Sequence, residues 1–370
     1  MDLYINASPL LFPNWSGVQF YIYRILSAMI EQGPEHRFHL HFSQEGEDAR
    51  VDALLCLPNV TGHRHPGPWR SYAALPLEIL RTRSRAYYLM NGDGRLRIPV
   101  PCPTAAIVYD CGNYILPSSQ GADTAELRET AGRNMRKRDI LFTLSETVKA
   151  EMVDLFSVRP EQVVVAPCAV DRPDMTVQGE RPKALAAGRP FFLMVNMGRA
   201  YKNWQDVVAA FALYLEAHPH DKETVLVLAG ELRGETEKMA AALAVSTARE
   251  RILSLGYLSE AELHYLYCHA RMALFPSRYE GFGIPALEAM AYDLPIIVSD
   301  IPVLKEVTAD AALHVPLDRP EVLAEAMDCL NSDSALRASL VQRGQARLEA
   351  YSWRDSGRKT LDALTALGNR

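Results

Sequence analysis

No apolar run in this chain of 370 residues reaches the roughly 18–20 residues a helix needs to cross a bilayer. Its opening, MDLYINASPLL, carries no basic segment of the kind that starts a secretory signal. Cysteine is scarce. The six thiols are Cys56, Cys102, Cys111, Cys168, Cys268 and Cys329, with no C-x-x-C pair or other zinc-ligand spacing among them. This argues against a disulfide-stapled scaffold and a zinc module, and predicts reduced thiols in a cytoplasmic chain. In that setting the Asn-x-Ser/Thr triplets at Asn6, Asn14 and Asn59 read as chance matches. Neither sign of charge dominates. Lys plus Arg number 39 against 45 Asp plus Glu, a net charge of −6 spread evenly along the chain, so no basic arm for nucleic acid is expected.

What is present describes a folded chain with more than one core. Hydrophobic residues make up 48% and charged residues 23%, a globular balance, and the length suits two domains. DLYINASP alternates like a first strand, NWSG turns, and VQFYIYRILSAMI has helical apolar spacing. RFHLHFS, AAIVYD, DILFTLS and QVVVAPCAVD follow as strands, with Ser145 placed to cap the helix ETVKAEMVDLF. Residues 171–189 are rich in Pro, Gly and charge and read as a linker. A second series then runs through the strands PFFLMVN, TVLVLAG, RILSLG, RMALFPS and PIIVSD, with helices between them; Ser259 and Glu262 have capping-box spacing. Strand–helix alternation in both halves predicts an α/β chain of two Rossmann-like doubly wound parallel sheets. The expected domains are 1–175 and 176–352, with a C-terminal helix over about 353–370 packing back on the first. Ligands of such sheets sit beyond the carboxyl ends of the strands, which places the expected site in a cleft between the domains.

Three stretches could carry chemistry. In RYEGFGIPALEAM, Glu280 and Glu288 flank a glycine turn. Pro285 suits the first position of a helix, which would put Glu288 in its first turn, where the helix dipole favours an anion. The backbone around Gly281, Gly283 and Ile284 would then form an anion site at the helix start. The two acids read either as a general acid/base pair or as a binding clamp. In VNMGRAYKNW, Arg199 and Lys202 follow a strand, a fork of donors and a point charge suited to a diphosphate. In NWSGV, Gly17 opens the first helix.

PSRYEGFGIPALEAM followed by LPIIVSDIPVLKEV resembles the signature of retaining GT4-type glycosyltransferases, whose E-x7-E motif matches Glu280 and Glu288, and YKNW resembles that family's donor-phosphate loop. LGYLSEAELHYLYCHARMALFPS, SGVQFYIYRIL, FTLSETVKAEM and EAYSWRD are similar to further family landmarks in the same order. The resemblance implies the GT-B fold and transfer of a hexose, with retention, from a nucleotide-sugar to a glycan or lipid-linked acceptor in surface polysaccharide or lipopolysaccharide synthesis. GDP-mannose is the first expected donor, with UDP-glucose and dTDP-rhamnose as alternatives. It also implies roles. Glu280 would meet the sugar hydroxyls and Glu288 the ribose. The backbone of Gly281, Phe282, Gly283 and Ile284 would meet the phosphates or sugar. Gly256, Tyr257 and Leu258 would line the base, and Gly17 would lie under the diphosphate. Lys202, aided by Arg199, would neutralise the leaving diphosphate.

The chain departs from the family pattern at Asn196, where relatives often carry glycine, and in its loop arginine, which stands at Arg199 rather than one residue earlier. Tyr109 replaces a histidine common in relatives; Asp110, beside it, remains a catalytic candidate. No Asp-x-Asp triplet occurs, so neither an obligatory metal nor any cofactor beyond the donor is expected, the loop cations supplying the charge. Front-face transfer follows from the clamp reading, because it leaves no carboxylate to act as a nucleophile. Arg70, Arg81, Arg83 and Arg85, set among apolar residues, and Arg133, Arg136, Lys137 and Arg138 are candidates for peripheral contact with an anionic membrane. The competing readings are a nucleotide-sugar epimerase of the same fold and a catalytically silent, partner-binding relative.

Overall fold

A computed structural model describes the chain apart from residues 14, 91, 93–95, 97, 117–123, 232, 233 and 235, and gives the backbone alone for 68–72 and 124. Asn14 and the Arg70 side chain, named above, therefore lie outside the described residues. Two compact units are present: Met1–Cys168 together with Tyr351–Arg370, and Ala169–Ala350.

The first unit is built on β1 (Asp2–Asn6), β2 (Arg37–Phe42), β3 (Val60–Arg64), β4 (Ala86–Leu89), β5 (Thr104–Ile107), β6 (Ile140–Thr143) and β7 (Val163–Val165). They form one sheet in the order β3-β2-β1-β4-β5-β6-β7, every neighbouring pair parallel. The second unit holds β8 (Phe191–Val195), β9 (Val225–Ala229), β10 (Ile252–Gly256), β11 (Met272–Phe275), β12 (Ile296–Ser299) and β13 (Leu313–Val315). Its order is β10-β9-β8-β11-β12-β13, again all parallel. Central strands such as FFLMV and VLVLA are buried along their whole length, as parallel strands covered on both faces must be. Helix Trp204–Ala217 covers β8 and β9, placing Trp204, Phe211 and Tyr214 in one apolar cluster with Phe192, Met194 and Leu228.

The C-terminal helix Trp353–Gly368 packs against the first helix, Gly17–Gln32. Trp353 meets Tyr21 edge-on at 5.9 Å between ring centroids, Gln32 Nε2 donates to the Arg354 carbonyl at 2.7 Å, and Ser356 Oγ donates to the Pro167 carbonyl at 2.9 Å. The two helices approach so closely at Gly357 that a Cβ there would lie 2.5 Å from the Ala28 Cβ.

Residues 169–190 form neither strand nor helix. They are pinned to the second unit by Glu180 N donating to the Ala261 carbonyl at 3.0 Å and by His264 Nε2 meeting the Val177 carbonyl at 3.0 Å. The basic stretch of the first unit divides in two: helix Pro68–Thr82 ends at Arg83, whose φ of 54° turns the chain into β4. Leu77 and Leu80 on that helix are exposed. In the second basic cluster, Arg136 donates to the Phe156 carbonyl at 2.6 Å and Arg138 to Thr104 Oγ1 at 3.2 Å, so these two are committed to internal bonds. Among the described residues no helix is long and apolar enough to cross a membrane.

Candidate functional site

The order of the second sheet reverses between β8 and β11, which pair with each other. Loops leaving the two strands at such a reversal diverge to opposite faces and open a crevice at the carboxyl edge. The loop after β8 carries Arg199 and Lys202; the loop after β11 carries Glu280 and leads into helix Ile284–Ala291. The two stretches singled out in the sequence, about eighty positions apart, thus meet for a topological reason.

Each loop is shaped by backbone that few residues tolerate. Asn196 and Asn203 have φ of 59° and 62°, in the left-handed region where asparagine is the usual substitute for glycine. The departure at Asn196 is therefore conformationally neutral. Gly283, with φ of 104°, caps helix Ile284–Ala291 in backbone that favours glycine, and a Cβ there would lie 2.7 Å from Leu304 Cδ2, which would have to shift.

Arg278 ties the loops together. Its backbone N donates to the Tyr201 carbonyl at 2.8 Å, its Nη2 donates to Asn203 Oδ1 at 3.1 Å, and its guanidinium is doubly bonded to Asp318, at 2.8 Å from Nη1. Asp318 holds the guanidinium above its ordinary proton affinity, and Arg278 in turn holds the Asp318 carboxyl below its own. Asp206 completes the brace, accepting from Asn203 Nδ2 at 2.8 Å and from the Asp318 backbone N at 3.1 Å.

This frame sets Lys202 Nζ 2.6 Å from Glu280 Oε1, with side chains only 8% and 11% exposed. The same ammonium lies 5.2 Å from the Tyr201 ring centroid and 5.4 Å from that of Phe275. The cation expected at a diphosphate and the acid expected at a sugar are therefore an ion pair. A charged pair this far from water depends on its partner and on nearby ring faces. Arg199, on the same loop, is exposed.

Glu288 differs from the sequence expectation. The helix begins at Ile284, Pro285 takes its second position, and no acid lies in its first turn. Glu288 stands one turn deeper, because the left-handed Gly283 ends the loop a residue earlier than a proline-first helix would. The dipole argument for Glu288 does not apply. Its Oε2 instead accepts from the Tyr267 hydroxyl at 2.8 Å. Burial pushes the Glu288 carboxyl above its usual range and the tyrosine hydrogen bond pulls it back.

The remaining candidates are dispersed. Gly256 ends β10 with φ of 66° and its carbonyl accepts from Gly230 N at 2.8 Å; Tyr257 beyond it is 84% exposed and Leu258 half-buried. Gly281 and Phe282 lie between Glu280 and the helix, Phe282 buried. Gly17 and Asp110 belong to the first unit. Gly17 is the first residue of its helix behind Ser16, which shares a capping box with Gln19. Asp110 is exposed, and its Oδ1 accepts from Gly112 N at 2.8 Å in a local turn. Tyr109 is turned inward, donating to the Met90 carbonyl at 3.2 Å. Sequence reasoning passed over Arg278, Asn203, Asp206, Asp318 and Tyr267. Arg278 lies inside the motif stretch itself, where an arginine beside an acid motif was the available signal.

Residues 178–347 match the model of the family described as glycosyl transferases group 1. The chain is 28% identical over 267 residues to O-antigen chain mannosyltransferase B of Escherichia coli, covering 70% of this chain and 69% of that one. It is 31% identical over 239 residues to the MMP alpha-(1->4)-mannosyltransferase of Mycolicibacterium hassiacum, covering 63% of this chain but only 55% of that one. In fold it is similar to a sucrose-phosphate synthase from Thermosynechococcus elongatus, with a TM-score of 0.77 at 18% identity over 99% of this chain and 98% of the other. The group 1 match lies within the second unit and includes the Glu280–Glu288 stretch at the strand reversal, and the two parallel-sheet units have the GT-B fold.

Proposed function

We propose that this protein is a glycosyltransferase that moves a hexose, with retention, from a nucleotide-sugar, GDP-mannose first among them, to a glycan or lipid-linked acceptor in surface polysaccharide synthesis. The mannosyltransferases among its relatives support the donor choice. The single observation that carries the chemistry is the Lys202–Glu280 pair at 2.6 Å, braced from both loops by Arg278.

On this reading Lys202 faces the donor's diphosphate and Glu280 the hydroxyls of the transferred sugar. The bond between the anomeric carbon and the phosphate oxygen breaks, and the acceptor oxygen bonds to that carbon from the same face. The acceptor proton passes to the leaving phosphate oxygen. Lys202 and Arg199 stabilise the charge that develops there, an effect of the kind worth about 10²–10³ in turnover per fixed donor. The Glu280 carboxylate keeps Lys202 charged and oriented before the donor arrives, so little reorganisation is left for the reaction.

Lys202→Ala should lower kcat by about two to three orders of magnitude, and near-normal turnover would reject the role. Removing one member of a buried pair costs about 3–5 kcal/mol, so thermal unfolding must be followed in parallel. Lys202→Gln, which can still donate to Glu280, is the companion variant and should lose turnover with less loss of stability. The anomeric configuration of the product, read by NMR, tests retention. Formation of an altered sugar from donor alone would favour an epimerase instead.

A further inference from the structure

Glu288 is held differently from Glu280. Its only hydrogen-bond donor among the described residues is a neutral phenol, Tyr267, on helix Glu260–His269. Its other oxygen accepts no hydrogen bond among the described residues, and the residue as a whole is half-buried. Tyr267 is itself buried, 3% exposed, and stacks on Tyr292 with ring centroids 4.8 Å apart and planes at 13°. The Tyr292 hydroxyl meets His264 Nδ1 at 2.9 Å, while His264 Nε2 meets the Val177 carbonyl at 3.0 Å. A carbonyl only accepts, so Nε2 bears the ring proton and Nδ1 accepts from Tyr292. This row runs from the 169–190 segment to the carboxylate.

We propose that Tyr267 is a positioning residue for donor binding: its hydroxyl holds one oxygen of Glu288 and leaves the other to a ribose hydroxyl of the nucleotide. The proposal rests on the reading of Glu288 as the ribose contact. The choice of a phenol has a physical consequence. A lysine or arginine in its place would neutralise the carboxylate, as Lys202 does Glu280, and compete with the ligand for it. A neutral donor fixes the rotamer and leaves the full negative charge to strengthen a bond from a sugar hydroxyl. It also offsets burial, which otherwise favours the protonated carboxyl.

The test compares GDP and UDP with their 2′,3′-dideoxy forms by calorimetry, using the full-length chain. Wild type should prefer the ribose form about tenfold or more, the scale of a hydrogen bond to a charged group. Tyr267→Phe should cut that preference to about twofold, more so at pH 6 than at pH 8, and raise the donor KM while kcat stays within about twofold. An unchanged preference and pH profile in Tyr267→Phe, with wild type still discriminating, would overturn the role of Tyr267 and leave the reading of Glu288 standing. If wild type shows no preference, or binds neither nucleotide, that reading fails and the proposal with it. Should Tyr267→Phe not fold, the wild-type preference decides. It should weaken as pH falls and the carboxyl takes up a proton, and a preference that grows as pH falls would overturn the proposal.

Discussion

Arg278 shows how one residue inside a legible motif can have an illegible purpose. Glu280, Glu288 and Lys202 stood out because acids and a lysine beside glycine turns at strand ends suggest anion and sugar binding. Arg278 is two positions before Glu280, but its partners Asn203 and Asp318 come from distant parts of the chain, and nothing in the local spacing points to them. Its planar fork spans Asn203 and Asp318 at once, which a lysine cannot reproduce. Arg278→Ala should therefore lower kcat/KM for the donor by about 10–100-fold through misplacement of Lys202 relative to Glu280, and Arg278→Lys should rescue little. Steady-state kinetics with both variants decides, and wild-type kcat/KM in Arg278→Ala would show that the brace is dispensable. The first-turn expectation for Glu288 failed at the same scale. Helix entry depends on the φ of Gly283, and proline is tolerated at the second position as well as the first.

At the scale of elements, the buried strands were legible and the marginal ones were not. Ten of the strands, β1, β2 and β5–β12, coincide with the apolar runs read from sequence. β3 (VTGHR) is an edge strand with one large apolar residue and β13 (LHV) an edge strand of only three residues, and the pairing of each is supplied by its neighbour. β4 (AYYL) is fully buried but follows an amphipathic helix without a strong break, so the two read as one stretch. The C-terminal helix depends on a contact that sequence could not specify, the closeness of Gly357 to Ala28. Gly357→Val should push the two helices apart and destabilise the first unit by about 1–3 kcal/mol, the usual cost of overpacking. Urea unfolding measures it, and an unchanged midpoint would refute close packing at that point.

At the scale of the molecule, stability should fall on mild acidification. Burial first, then the neighbouring imidazoles of His65 and His63, push His41 down to about 4. His63 and His314 are also lowered by burial. His41 stays neutral in the fold down to about pH 4, and His63 and His314 take up protons less readily in the fold than in the unfolded chain, where histidine titrates near 6.5. Between about pH 6.5 and 4 the unfolded state binds more protons, so stability declines as pH falls, each tenfold difference in proton affinity being worth about 1.4 kcal/mol. Urea midpoints at pH 7.5, 6 and 5 should drop in that order, and His41→Gln should flatten the decline; parallel profiles would exclude His41 as a source. What the sequence determined by itself was the alternation of strand and helix, the two-unit plan and the residue types of the loops after β8 and β11, because apolar periodicity and glycine turns are local properties. The tertiary structure alone decided that β8 and β11 are neighbours. Strand order is a non-local outcome of packing, and it is strand order that sets Lys202 against Glu280, lets Arg278 brace them and brings Tyr267 to Glu288.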